Sequence, residues 1–252
     1  MNEFETAKSI MKTINDLNYD VYIVGGAVRD MIMGKVPNDI DIATNMPICE
    51  IENTFQSYDI GKSKEFGIHT IIMNNYSFEV ANFRTEDTYS DGRHPDEVKI
   101  VNTFEEDSKR RDFTFNAMGM TIDGDVVDYH NGQEDIKNKV LRTVGDPSDR
   151  FAEDFIRIMR AIRFSAKFGF KMAPEVENAI KANAHMMMKC VSPERVWNEM
   201  TKMASGKNFH KAVEMMFDMG VMEHVFPEVD AMKNFFHSPQ HHPEGAKVWV
   251  KE

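Results

Sequence analysis

The 252-residue sequence predicts an α+β fold, a mixed β-sheet head with flanking helices followed by an all-helical neck. Three observations carry this. Short apolar strand runs alternate with helical periods over the first half of the chain; from Pro147 the strand signals vanish and at least four helical patterns follow; and neither half holds an internal repeat or low-complexity tract. The division is expected near residues 143–149, giving a head over 1–145, a neck over 146–230 and a segment, 231–252, read as the start of a missing or truncated body.

Phe4, Ala7, Ile10, Met11, Ile14 and Leu17 recur at three- and four-residue intervals, so Phe4–Leu17 is expected to be a helix with one buried face. Val21–Val24 reads as a strand, Gly25-Gly26 as a turn compatible with phosphate, and Ala27–Met33 as a helix stopped by Gly34 and Pro37. Asp39–Ala43 alternates acidic and apolar residues, which a strand resolves into two faces with both carboxylates on one. A helix over Pro47–Gln56 precedes two β-rich runs, Ile68–Met73 and Ser77–Arg84, joined by a hairpin turn at Asn74-Asn75. Thr85–Glu97 lacks apolar periodicity and is expected to be a loop, after which Thr103 caps a helix running towards Met118. Gly119–Ile122 and Val126–Asp128 form a β pair around Asp123-Gly124-Asp125. Helices follow at Asp149–Phe168, Pro174–Ala184, Pro193–Ala204 and Phe209–Met219, with Ser192 before Pro193 as a start signal.

Composition excludes several classes. Hydrophobic residues make up 42% and charged residues 28%, ordinary for a globular protein and unlike collagen-like, mucin-like or disordered chains. No apolar stretch approaches the ~20 residues needed to cross a bilayer, so no membrane association is expected. The acidic N-terminus does not resemble a secretory signal, and the two cysteines, Cys49 and Cys190, lack CxxC spacing, so a reducing, cytoplasmic setting is expected. Lys plus Arg number 30 against 41 Asp plus Glu, a net charge of −11. That sign opposes a broad nucleic-acid-binding surface, so any polyanionic partner must meet a local cluster of cations or metal ions bridging carboxylates to phosphate.

Three constellations carry chemistry. The first is Gly25-Gly26-Ala27-Val28-Arg29-Asp30 followed by Asp39-Ile40-Asp41. Carboxylates at i and i+2 of a strand can hold Mg²⁺ ions that activate an attacking oxygen and neutralise a triphosphate, while the glycine pair admits phosphate close to the backbone and Arg29 meets its charge. An isolated acid pair is ordinary on strand surfaces; its distance from the glycine turn makes this one a site. Glu79, between Phe78 and Val80, is a candidate third carboxylate, with an outward-facing strand glutamate as the alternative. The second is Arg110-Arg111-Asp112-Phe113-Thr114-Phe115-Asn116, which offers donors to phosphate and an acceptor for a ribose hydroxyl; a solvated helix with internal ion pairs is the alternative. The third is Glu153–Arg163. At ~100° per residue Phe155, Ile158, Met159, Ile162 and Ala166 share one side, and Glu153, Arg157 and Arg160 the other, flanked by Asp154 and Arg163. An Asp and an Arg three apart can read a base that pairs an exocyclic amino group with a ring acceptor, as cytosine and adenine do and guanine and uracil do not. The alternative is a plain Glu153–Arg157 surface ion pair.

Together GGAVRD, DID, DGRHPDEV, RRDFTFNAM and EDFIRIMRAIRF, over about residues 19–227, resemble the tRNA nucleotidyltransferase (CCA-adding) and bacterial poly(A) polymerase family. The resemblance implies a nucleotidyltransferase-type head and a helical neck. It implies that Asp39 and Asp41 bind catalytic Mg²⁺, Gly26 and Arg29 the triphosphate, and Arg111 and Asp112 phosphate and ribose. Asp154 and Arg157 would act as a protein template for incoming CTP or ATP, with Arg160 and Arg163 on the nucleotide phosphates or supporting that template. Gly25 and Asn116 complete the expected nucleotide site. The implied partner is a tRNA or other RNA 3′ end. Gly67-Ile68-His69-Thr70 and Asp91-Gly92-Arg93 look more like CCA-adding members than poly(A) polymerases. Poly(A) synthesis, addition of only C or only A, and a catalytically silent RNA-binding remnant are the alternatives. None of the nine histidines is followed by Asp, so the phosphohydrolase found in some members is not expected. The cluster at His241-His242 reads as linker, and the twenty methionines as core filling.

Overall fold

The computed structural model describes residues 2–58, 67–87 and 97–232. Helix α1 (Glu3–Asp16) starts where the Asn2 side chain accepts the Glu5 amide at 2.9 Å, and it buries Ala7, Ile10, Met11 and Ile14, the face its periodicity predicted. It covers one face of a seven-stranded sheet. In chain order the sheet contains β1 (Val21–Val24), β2 (Asp41–Thr44), β3 (Ser57–Tyr58), β4 (Ile68–Met73), β5 (Tyr76–Asn82), β8 (Gly119–Met120) and β9 (Val126–Val127); across it the order is β3-β4-β5-β2-β1-β8-β9. Only the central β2–β5 pair is parallel, with Ile42 opposite Val80. Asn74 and Asn75 both take positive φ, 53° and 65°, which the tight β4–β5 hairpin requires and asparagine tolerates.

Between β1 and β2 lies α2 (Gly26–Ile32), and α3 (Ile48–Thr54) follows β2. Strands β6 (Arg84–Asp87) and β7 (Glu97–Ile100) form a separate antiparallel ribbon, so the loop expected over Thr85–Glu97 is strand at both ends; Asp91-Gly92-Arg93 lies outside the described residues. The helix expected from Thr103 towards Met118 ends early. Thr103 does cap α4 (Phe104–Ser108), with its hydroxyl bonded to Glu106, but the chain then leaves the helix and makes a single 3₁₀ turn at Thr114–Asn116. Phe113 and Phe115 are both fully buried, and two residues that share a direction at i and i+2 cannot do so on an α-helix.

After α5 (Gly132–Asn138) and β10 (Val140–Leu141) come α6 (Pro147–Glu153), α7 (Ile156–Phe168), β11 (Lys171–Met172), α8 (Pro174–Asn183), α9 (Met187–Cys190), α10 (Pro193–Ala204), α11 (Phe209–Asp218), α12 (Met222–Val225) and α13 (Pro227–Ala231). Two expectations are corrected here. The single helix read over Asp149–Phe168 is two, broken at Asp154, which is extended at φ −155° and ψ 102°. A strand also survives beyond Pro147, because β11 pairs in parallel with β10. Phe113, Phe115 and Leu141 belong to the same apolar cluster as Phe155, Ile158, Met159 and Ile162 of the neck. The main helix of the neck is therefore packed onto the segment that carries the second constellation. Residues 233–252, with His241 and His242, lie outside the described residues. Among the described residues no helix is long and apolar enough to cross a membrane.

Candidate active site

The site begins at the turn after β1. Gly25 sits at φ +68° and ψ −128°, a conformation closed to side-chain-bearing residues, and a Cβ there would come within 3.5 Å of the Arg111 guanidinium. From the following turn of helix Arg29, 6% exposed, donates from Nε to Asp30 at 2.9 Å and from Nη1 to Asn116 Oδ1 at 2.6 Å. Val24, the residue before this turn, pairs with Asp41 across the sheet. The glycine turn and the acid pair are thus joined by one strand register.

Asp39 precedes β2 rather than lying in it, yet exposed Asp39 and Asp41 flank buried Ile40, so the alternation expected of the pair holds. In the parallel β2–β5 register Asp41 runs beside Glu79, which is exposed between the buried Phe78 and Val80. Partial burial raises the Asp41 carboxyl above its ordinary value, the negative fields of Glu79 and Asp39 raise it further, and Arg111 offsets them only in part. Among the described residues no three His, Cys, Asp or Glu side chains form a ready-made metal ligand set. Two exposed carboxylates short of positive charge nevertheless suit Mg²⁺, which commonly takes one or two carboxylates and completes its shell with water and substrate phosphate.

Opposite stands a wall of held charges. Asp107 on α4, fully buried, accepts from Arg110 Nε and Nη2 at 2.9 and 2.8 Å and from Arg111 Nε and Nη2 at 3.1 and 2.8 Å. Burial pushes its carboxyl up, and the two guanidiniums more than reverse the effect. Asp112 is likewise penalised by burial, but Arg160 and the Asn116 amide bring it down to about 2. Arg163 is held by Glu199 at 2.6 Å, with its guanidinium 4.1 Å from the Phe164 ring. Arg157 pairs with Glu153 and donates to the Arg150 carbonyl at 2.9 Å, so the ion pair weighed as the plain alternative is present. Asp154, at the break between α6 and α7, receives both arms of Arg195, at 3.0 and 2.6 Å.

Of these groups Arg110, Arg111, Asp112, Asp154, Arg157, Arg160, Arg195 and Glu199 line an open cleft of about 600 Å³. Nine expected residues meet there: Gly25, Gly26, Arg29, Arg111, Asp112, Asn116, Asp154, Arg157 and Arg160. Asp39, Asp41 and Glu79 are not in its lining, but Asp41 feels Arg111, which is, and Arg163 packs against Phe164 rather than lining the cleft. Sequence reading missed Arg195, Asn198, Glu199 and Lys202, a stripe on α10 at helical spacing that lines the cleft. The signal was that spacing, which is the same in any solvated helix face.

The poly(A) polymerase head domain matches residues 21–142, and the probable RNA and SrmB-binding site of polymerase A matches 169–233. The CCA-adding enzyme of Lactobacillus helveticus is 40% identical over 223 residues, 88% of this chain and 55% of the relative; that of Bacillus subtilis is 41% identical over 221 residues, 87% and 55%. The crystal structure of the Bacillus stearothermophilus CCA-adding enzyme in complex with CTP superposes with a TM-score of 0.79 at 36% identity, covering 88% of this chain and 53% of that one. A nucleotidyltransferase head followed by a helical neck is the class these features define. The chain belongs to the tRNA nucleotidyltransferase and poly(A) polymerase family, and spans about half the length of the curated relatives it matches.

Proposed function

We propose that this chain is a template-independent RNA nucleotidyltransferase that adds C and A to tRNA 3′ ends from CTP and ATP, releasing pyrophosphate. The observation that supports the reading is the proximity of Asp41 to Asp39, Glu79 and Arg111, the last of which lines one cleft together with Asp154 and Arg157. Bound by Asp39 and Asp41, Mg²⁺ would supply the positive charge that activates the RNA hydroxyl and neutralises the triphosphate. Arg29 and Arg111 hold the phosphates, and Asn116 fixes Arg29 in place. Asp112, kept ionised by Arg160, offers a carboxylate to the ribose. Asp154 accepts from the exocyclic amino group of the base and Arg157 donates to its ring acceptor, so cytosine and adenine satisfy the pair and uracil leaves it unpaired. The RNA 3′-oxygen then bonds to the α-phosphorus as the bond to pyrophosphate breaks.

Incubation of the full chain with labelled CTP and ATP, Mg²⁺ and tRNAs ending at the discriminator base, at C or at CC tests the reading. Ordered incorporation of C, C and A supports it. ATP-only extension of many RNAs replaces it with poly(A) synthesis, stalling after C residues or addition of only A with a partial enzyme, and RNA binding without turnover with a silent remnant.

A further inference from the structure

Five cations, Arg29, Lys35, Arg160, Arg163 and Lys167, converge on one aromatic stack next to the cleft. Phe164 and Phe168, one turn apart on α7, stack at 5.7 Å with 6° between their planes. The Arg29 guanidinium lies 4.8 Å from the Phe168 centroid, and the ammonium groups of Lys35 and Lys167 lie 5.0 and 5.2 Å from it. Arg163 covers Phe164. The arginines are compensated, Arg29 by Asp30 and Arg163 by Glu199. Among the described residues neither lysine has a carboxylate partner. Partial burial lowers the Lys167 pKa, and repulsion from Arg29, Arg163 and Lys35 lowers it further, while Asp30 compensates only in part. A ring face attracts a cation modestly, but three cations around one ring repel one another. In a chain of net charge −11, two ammonium groups without an ion-pair partner, sharing a ring with Arg29, are a local reserve of positive charge.

We propose that Lys35 and Lys167 form a phosphate-binding extension of the cleft that takes the terminal phosphates of the nucleoside triphosphate and the pyrophosphate it leaves. The inference rests on the nucleotidyltransfer reading and deepens it. Neither lysine lines the cleft itself, but both share the Phe168 ring with Arg29, which does. If the α-phosphorus reacts beside Asp39 and Asp41, a triphosphate running along the Gly25-Gly26 turn to Arg29 brings its terminal phosphates towards them. In-line displacement puts the attacking RNA hydroxyl opposite the leaving group, so this end of the cleft faces the nucleotide's phosphate tail rather than the RNA.

The test uses the full chain, wild type against the pair Lys35→Gln/Lys167→Gln and the pair Lys35→Arg/Lys167→Arg, titrated calorimetrically with inorganic tripolyphosphate, CTP and CMP, and by fluorescence anisotropy with a labelled tRNA. Both lysines are exposed, so the melting temperature is expected to hold. The glutamine pair should bind tripolyphosphate and CTP about tenfold more weakly with a flatter salt dependence, bind CMP within about twofold of wild type, and be rescued by the arginine pair. Unchanged tripolyphosphate and CTP affinity would overturn the inference, as would a loss confined to the tRNA. Wild-type protein that binds tripolyphosphate but neither CTP nor CMP would instead count against the nucleotidyltransferase reading, leaving the lysine site to be judged on tripolyphosphate alone.

Discussion

The two sides of the cleft hold their acids in opposite ways. On the sheet, partial burial and then the negative fields of Glu79 and Asp39 make Asp41 harder to ionise, and Arg111 offsets them only in part. On the helical side the acids at the cleft are gripped, Asp112 by Arg160, Asp154 by Arg195 and Glu199 by Arg163, and buried Asp107 holds the cleft-lining Arg110 and Arg111 from outside the lining. The sheet side is under-compensated and gains from a cation that arrives with substrate. The helical side is pre-organised, which is what discrimination between bases demands, because a template free to swing would accept either hydrogen-bond pattern.

The sharpest way to break this contrast is to remove one acid from each side. Asp41→Asn is expected to cut CTP incorporation by at least about 10³-fold, the scale on which electrostatic catalytic groups act, while leaving the melting temperature equal or higher because like-charge crowding is relieved. Asp39→Ala should abolish turnover in the same assay. Asp112→Ala should do the reverse on stability: it strands Arg160 without its partner and is expected to cost about 3 kcal/mol in urea unfolding. An Asp41→Asn protein that unfolds more easily than wild type, or an Asp112→Ala protein of wild-type stability, would erase the distinction.

A smaller effect probes the template. Asp154→Ala and Arg157→Ala should blur the choice of CTP over UTP more than they weaken Mg²⁺ dependence. Arg195→Ala should do so indirectly, by releasing the Asp154 carboxylate, with a loss of selectivity on the order of tenfold. Arg195→Lys keeps the charge but not the two-armed grip, so it should recover only part of that selectivity. Competition between CTP and UTP measures all four, and wild-type selectivity in Arg195→Ala would remove Arg195 from the template's support.

What could be read from the sequence divides along the same line. The sheet side is written in local chemistry: a strand, a glycine that must take positive φ, an alternating acid pair, and two asparagines that turn a hairpin are each recognisable within a few residues. The helical side is written in tertiary contacts. The charge and apolar periods run through Asp154 without interruption, so nothing local announces the break there, where the carboxylate is held by Arg195, 41 residues away. The segment after Ser108 reads as helix because Glu105, Glu106 and Asp107 favour one, but Phe113 and Phe115 are drawn into a core supplied by α7. Charged residues of the second and third constellations were legible as a cluster, but their partners were not. Arg160 meets Asp112 rather than a neighbour on its own helix, and Arg157 meets Glu153 as well as facing the cleft.

The smallest expected effect is in the pH dependence of stability, and the two sides should contribute with opposite sign. Asp112 has its folded-state pKa depressed from 3.8 to about 2, and Asp107 and Glu199 are also lowered. Their contribution is fully present above the unfolded-state values and is lost as pH falls from about 4 towards 2. Asp41 has its folded-state pKa raised above 3.8, so its ionisation weakens the fold at neutral pH and its protonation restores stability as pH falls through that raised value. The lowered pKa of His130 costs stability as pH falls below about 6.5, so the Asp41 effect is read as a difference between melting temperatures: wild type should gain slightly on Asp41→Asn as pH falls towards 4, Mg²⁺ should remove that gain by stabilising the ionised pair, and the two proteins should share the acid limb. Parallel profiles for the two proteins would leave the sheet side no less compensated than the helical one.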